Sequence, residues 1–266
     1  MKLEVSKGFF KFKKTDYILE DINFSLGDGD VLSILGPNGV GKTTLIKCLT
    51  GLLPWTRGET FIDGKNISTM KERELWSKIS YIPQKRNFSF SYTGLEMVLF
   101  GSTSSLNIFE RPSQKEIERA REVMKMIEID HLADKVANEM SGGELQMLLI
   151  ARSLVKEPKI IILDEPESGL DYKNQIIILD LIKKLSESGV IIVMNTHYPD
   201  HALKISNKCL LLNYDKTYKF GETRKVLNGE NLKKSFSVEV KIEKISVDGK
   251  DYESIIPLGI EDENLK

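Results

Sequence analysis

A glycine-rich run, Gly36-Pro37-Asn38-Gly39-Val40-Gly41-Lys42-Thr43-Thr44, has the residue types and spacing of a phosphate-binding loop. The glycines let the chain wrap closely around phosphates with its N–H groups pointing inward, where a side chain would hold the backbone away. Lys42 is placed to reach β- and γ-phosphates as a point charge, Thr43 to ligate Mg²⁺ through its hydroxyl, and Thr44 to hydrogen-bond a neighbouring phosphate. By itself the loop indicates a nucleoside triphosphate and no particular reaction. Further along, the apolar run Ile160-Ile161-Ile162-Leu163 delivers Asp164 and Glu165 at its C-terminal end, where α/β sheets bind their ligands. Asp164 is expected to hold Mg²⁺, mostly through its water shell, and Glu165 to orient or deprotonate an attacking water. A second apolar run, 190–194, ends in Asn195-Thr196-His197, which sets His197 at a neighbouring strand tip in reach of a γ-phosphate. Between the loop and these strands, Ser141 and Glu144 in Ser141-Gly142-Gly143-Glu144-Leu145-Gln146 form a helix capping box. A cap does not require the two glycines; their bare backbone suits an anion close to the helix N-terminus.

These residues need an α/β scaffold, and the chain alternates strand-like and helical patterns accordingly. Residues 3–12 and 17–26 read as strands, followed by the turn Gly27-Asp28-Gly29-Asp30 and a buried strand over 31–35. A helix is expected over 42–52, after the phosphate loop, which adds its positive end to the site. Strands over 59–62 and 79–82 flank the Asp63-Gly64 turn. Residues 88–139 change character to a mostly helical insert, with a capping box at Ser113 and Glu116 and apolar Ile117, Ala120, Met124 and Ile127 at helical spacing. Ile178, Leu181, Ile182 and Leu185 mark another helix that Gly189 ends. At the tail, Phe236, Val238, Val240 and Ile242 alternate with polar residues, and Asp248-Gly249 can turn the chain back as a hairpin.

Composition narrows the function classes. The 266 residues carry 38 Lys and Arg against 39 Asp and Glu, a net charge of −1, so gross charge recruits no nucleic acid. With 41% apolar and 29% charged residues the chain is expected to pack a substantial core. No apolar run approaches the length that spans a bilayer and Met1-Lys2-Leu3-Glu4 opens no signal peptide, so any membrane role is expected to come through a partner. Cys48 and Cys209 offer neither a disulfide framework nor zinc spacing and read as reduced core thiols of a cytosolic protein.

Taken in order, the phosphate loop at 36–44, the signature at 141–146 and Leu163-Asp164-Glu165-Pro166 resemble the ATP-binding subunits of ABC transporters. The resemblance covers roughly residues 1–230 and extends to Gln84 in Tyr81-Ile82-Pro83-Gln84, like the family's Q-loop glutamine. Ser168-Gly169-Leu170-Asp171 is similar to its D-loop and His197 to its switch histidine. It implies a P-loop ABC-type ATPase with a RecA-like core, an antiparallel β subdomain and an inserted helical subdomain at about 88–157. The ATPase domain would span 1–232, with 233–266 a small C-terminal β-hairpin tail. It further implies two copies facing head to tail around ATP and Mg²⁺, with Ser141, Gly142 and Gly143 of one copy on the γ-phosphate held by the other. Gln84 would sense Mg²⁺ and the γ-phosphate and link the insert to a permease. An aromatic residue before the phosphate loop normally stacks on adenine in such proteins. Phe12 is favoured with Tyr17 the runner-up, against the alternative that Phe9, Phe10 and Phe12 simply pack in the β subdomain.

Two positions depart from the family pattern: Glu144 stands where Gln is usual, and Glu167 where Thr usually follows Glu-Pro. Glu144 is expected to face its own backbone rather than the nucleotide. The stretches 142–152, 196–202 and 226–232 look like the importer ATPases for iron-siderophore, haem and cobalamin, as does 93–101, where Gly94 replaces the usual valine. That group implies a peripheral position on the cytoplasmic face of the membrane, permease subunits, and indirectly an extracytoplasmic substrate-binding protein. A non-transport ABC ATPase, for example in iron–sulfur assembly, and an exporter ATPase are the alternatives. His131 and His201 read as surface or packing residues.

Overall fold

The computed structural model describes residues 1–84, 92–102 and 112–260. From the N-terminus, β1 (Lys2–Phe10) pairs antiparallel with β2 (Leu19–Gly27). Next, β3 (Val31–Leu35) runs into α1 (Lys42–Leu49), and β4 (Arg57–Ile62) turns through Asp63 and Gly64, both at positive φ, into β5 (Lys65–Asn66). These outer strands make a four-stranded antiparallel sheet of order β2-β1-β4-β5. After α2 (Glu72–Lys78) and β6 (Ile79–Ile82) come the helices of the insert, α3 (Gly94–Leu99), α4 (Gln114–Met126) and α5 (Gly142–Leu154). The expected start of the insert at residue 88 lies outside the described residues, as does the end of the tail past 260.

The chain then returns to the sheet with β7 (Ile160–Asp164), α6 (Tyr172–Glu187), β8 (Ile191–Asn195), α7 (Pro199–Ile205), β9 (Lys208–Leu212) and β10 (Tyr218–Glu222). The resulting six-stranded sheet has the order β10-β9-β3-β8-β7-β6, parallel throughout except for the β9–β10 pair. β3, β7 and β8 are buried along their entire length, as parallel strands covered on both faces must be. Alternate residues of each strand therefore feed different cores. Ile161, Leu163, Ile192 and Met194 join the α3–α6 cluster, while Ile160, Ile162, Ile191 and Val193 pack with α1 and the antiparallel sheet. This is the α/β core, antiparallel β subdomain and helical insert that the sequence leads one to expect.

Several boundaries differ from the sequence reading. β1 stops at Phe10 and β2 starts at Leu19, because Lys14 takes positive φ and Thr15 N donates to Phe12 O at 3.3 Å; Phe12 and Tyr17 thus lie on the connecting loop, not in strands. α1 ends at Leu49 rather than 52, since the Thr50 hydroxyl folds back onto the Ile46 and Lys47 carbonyls and Gly51 adopts φ 75°. β8 begins one residue later than expected, at Ile191. Phe236 is the last residue of α9 (Gly229–Phe236), which follows the short α8 (Thr223–Val226), and not part of the hairpin. The hairpin itself, β11 (Val238–Val247) and β12 (Lys250–Ile260), turns through Asp248 and Gly249 at φ 50° and 73°, a two-residue turn of the kind their sequence favours. Val240, Ile242 and Ile255 of the hairpin pack against a small core around Leu211, Leu227 and Leu232.

Candidate functional site

The parallel strands β3, β8, β7 and β6 stand side by side, so the segments leaving their C-terminal ends meet above one edge of the sheet. β3 leads into the phosphate loop, where Gly36, Gly39 and Gly41 take φ of 144°, 79° and 111°. A Cβ on Gly36 would sit 2.6 Å from Leu212 O and one on Gly41 2.8 Å from the Ile18 side chain, so both positions exclude larger residues. Pro37 O accepts from Val40 N at 3.4 Å, Val40 is buried, and Asn38 O accepts from the Tyr214 hydroxyl at 3.1 Å. Gly41 is also the N-cap of α1 and supplies no side-chain acceptor, which leaves the positive end of the helix open to an anion. Within the loop, Lys42 Nζ donates to Gly36 O at 2.7 Å and Pro37 O at 3.0 Å. Burial pulls this ammonium below its ordinary pKa, while Glu165 and Asp164 pull the other way.

Thr43 follows on α1 and its hydroxyl donates to Asp164 Oδ1 at 3.3 Å. The same carboxylate oxygen receives Asn195 Nδ2 at 2.7 Å from the facing position of β8, and the Tyr81 hydroxyl of β6 reaches Oδ2 at 3.4 Å. Burial, reinforced by Asp164, pushes the Tyr81 phenol well above its usual range and keeps it a donor. Beyond the end of β7, Glu165 adopts φ 52°, a left-handed conformation that costs a non-glycine residue on the order of 1–2 kcal/mol. Its N–H donates to Asn195 O at 3.1 Å and fixes that turn. Both carboxylate oxygens are then engaged: Gln84 Nε2 donates to Oε2, and His197 Nε2 stands 2.5 Å from Oε1.

The expected hydrolytic residues Glu165, His197 and Gln84 therefore stand together, beside Lys42, Thr43 and Asp164. The Gln84 amide nitrogen is directed to Glu165, whereas its metal-ligand role would call on its carbonyl. Thr43 and Asp164 present paired hard oxygens, which suit Mg²⁺ because that ion keeps several waters and takes further oxygens from phosphate. Among the described residues there is no group of three or more His, Cys, Asp or Glu that could hold a metal ion. Thr44 lies in the first turn of α1.

Other candidates lie on separate elements. Ser141 caps α5, its N–H donating to Glu144 Oε2 at 2.7 Å and its hydroxyl receiving Glu144 N at 3.3 Å. Glu144 also holds Lys135 Nζ at 2.9 Å, and that partner, ahead of the cap, lowers its pKa; it faces its own helix start as expected. A Cβ on Gly143 would lie 2.3 Å from the end of the Asn174 side chain, so a larger residue here would have to displace that side chain on α6. Gly142 precedes it in the first turn of α5. Asp171 caps α6 by accepting from Asn174 N at 2.8 Å. Phe12 is 48% exposed with its ring edge-on to the buried Phe10, while Tyr17 is half-buried, edge-on to Phe9 and covered by Lys11. Of the three phenylalanines only Phe10 is in the core. Asn195, Tyr81 and Glu167 were not among the expected site residues; the first two become visible only once β8 and β6 are known to flank β7.

The chain is also similar to known proteins. Residues 19–168 match the family described as ABC transporter. The molybdate import ATP-binding protein MolC of Haemophilus influenzae is 36% identical over 231 residues, covering 86% of both chains. A probable iron chelatin transport ATP-binding protein of Helicobacter pylori is 37% identical over 234 residues, 87% of this chain and 91% of that one. Among solved structures, a metal-chelate type ABC transporter in an inward-facing conformation superposes with a TM-score of 0.85 at 32% identity, covering 96% of this chain and 97% of that one. The dimeric structure of MJ0796, a bacterial ABC transporter cassette, gives 0.71 at 28% identity over 84% and 99%.

Proposed function

The chain belongs to the ABC transporter ATP-binding family, and from that premise we propose that it powers import of a metal chelate such as an iron-siderophore, haem or cobalamin. Its family membership makes it an ATP-binding, ATP-hydrolysing transporter subunit. The cargo is a separate matter, since one relative is named for molybdate and another for iron chelatin. The observation that carries the chelate reading is how far the likeness to the metal-chelate transporter extends. What that match leaves out is shorter than the β11–β12 hairpin, so the likeness runs into the tail.

In this reading Lys42 and the N–H groups opening α1 bind the β- and γ-phosphates of ATP. Thr43, Asp164 and Gln84 are the residues that would hold Mg²⁺, whose chemistry when bound is to neutralise charge on the phosphates. Glu165 takes a proton from the attacking water at its carboxylate, which His197 and Gln84 hold from both sides. His197 also faces the γ-phosphate. The exposed ring of Phe12 stacks on adenine, with Tyr17 the alternative. Ser141, Gly142 and Gly143 bind the γ-phosphate of a second copy, and Asp171, in the D-loop-like stretch, is a further nucleotide-binding residue. ATP closes this head-to-tail pair and hydrolysis reopens it. Gln84 and the helical insert pass closure to permease subunits, which hold the chain on the cytoplasmic face of the membrane and receive cargo from an extracytoplasmic binding protein. Among the described residues no helix is long and apolar enough to cross a membrane.

Two measurements test the reading. Tagged chain extracted from native membranes in mild detergent should retain a polytopic permease identifiable by mass spectrometry, and cells lacking the chain should lose uptake of a labelled ferric siderophore, haem or cobalamin. Soluble partners alone, or loss of molybdate uptake with chelate uptake intact, would contradict it.

A further inference from the structure

Glu167 follows Glu165 by two residues and is only 1% exposed. A carboxylate taken out of water needs donors, and its Oε1 receives the hydroxyl of Thr196 while His201 Nδ1 stands 3.5 Å away. Thr196 is itself fully buried and is held through its N–H and its hydroxyl. Its N–H donates to Ile34 O at 3.2 Å, and its Oγ1 accepts from Tyr198 N at 3.0 Å. These two bonds bracket His197, the residue between them, whose Nε2 meets Glu165. His201 in turn lies in the first turn of α7, next to Asp200, whose Oδ1 accepts from Ile255 N at 2.8 Å and Ser254 Oγ at 3.1 Å of the hairpin. Glu167 thus joins the segment after β7 to the segment after β8 through Thr196, with His197 inside the joint and His201 of α7 nearby at 3.5 Å.

We propose that Glu167 is a positioning residue for ATP hydrolysis: it anchors the Thr196–Tyr198 turn so that His197 stays against Glu165. The proposal rests on the reading of Glu165 and His197 given above. Glu167 need not touch nucleotide or metal for this role. Its contribution is to geometry, where a displacement of about 1 Å can cost on the order of a hundredfold in rate. The longer carboxylate arm reaches the Thr196 hydroxyl across two strand ends, and Thr196 transmits the constraint to the neighbouring peptide units on both sides of His197.

The test uses the full chain and measures turnover, KM and ATP affinity together. Glu167→Ala should lower kcat roughly ten- to a hundredfold with KM and ATP affinity unchanged, and Glu167→Gln, which keeps an acceptor oxygen for Thr196, should restore most of the rate. In a His197→Ala background, Glu167→Ala should cost nothing further, because residues acting through one group are not additive. Should Glu167→Ala not fold, Thr196→Val against Thr196→Ser asks the same question from the donor side; only the valine variant should lose kcat. Wild-type turnover in Glu167→Ala, a full additional loss in the His197→Ala background, or equal turnover of the two Thr196 variants would overturn the proposal. If His197→Ala and Glu165→Gln themselves turn over at the wild-type rate, the underlying site assignment fails, and that outcome is separately visible.

Discussion

Lys42 shows how a residue's chemistry follows from its surroundings. Buried in the loop, its ammonium is held by the carbonyls of Gly36 and Pro37 and by the field of Glu165 and Asp164. A charge-assisted contact from this amine to phosphate is worth roughly 1.5–3 kcal/mol, so Lys42→Ala should weaken ATP binding by about ten- to a hundredfold. Calorimetric titration with MgATP checks this, and equal affinity would exclude Lys42 from the phosphate site. The positions of Lys42, Thr43, Asp164 and Glu165 at one end of the sheet were legible in the sequence because each lies just beyond or at the end of a short buried strand. The contacts of Asn195 and Glu167 were not, because their partners become neighbours only through the order of β3, β8 and β7 in the sheet. The cysteines were read correctly: both are buried free thiols, and desolvation pushes Cys48 up to about 12 and Cys209 higher.

At the scale of elements, the start of α5 is held by its own first residues. Ser141 and Glu144 close a capping box, and Lys135 pairs with the same carboxylate. Glu144→Ala should therefore destabilise the chain by about 1 kcal/mol in denaturant unfolding at neutral pH. Its folded pKa lies below the ordinary carboxylate value, so this stabilisation is present above the unfolded pKa and fades as pH falls through the lower folded one. The difference between variant and wild type should shrink on acidification. ATP affinity should not change, since Glu144 points to its own helix; a loss of affinity would place it at the nucleotide. Strands and helices with strong periodicity were legible from their residues, and β6 matches its expected span. The aromatic loop was not, because the alternation through Phe10 continues in type to Phe12 while the Lys14 backbone already turns away. Gly143 likewise has a close neighbour, Asn174, that only the contact between α5 and α6 shows.

The whole molecule places one nucleotide-binding edge on a sheet whose two faces are sealed by separate cores. The phosphate loop and Glu165 lie on that edge, whereas the Ser141-Gly142-Gly143 start of α5 belongs to the insert. In the proposed reading a single chain supplies half of each site and a second copy the other half. The most direct measurement is ATP hydrolysis by Glu165→Gln, followed by phosphate release and by light scattering in MgATP. A positioned general base contributes about 10²–10⁴ in rate, so turnover should fall by that factor while ATP still binds and a dimer accumulates. Wild-type turnover in this variant would contradict the assignment of Glu165 as the group that activates water.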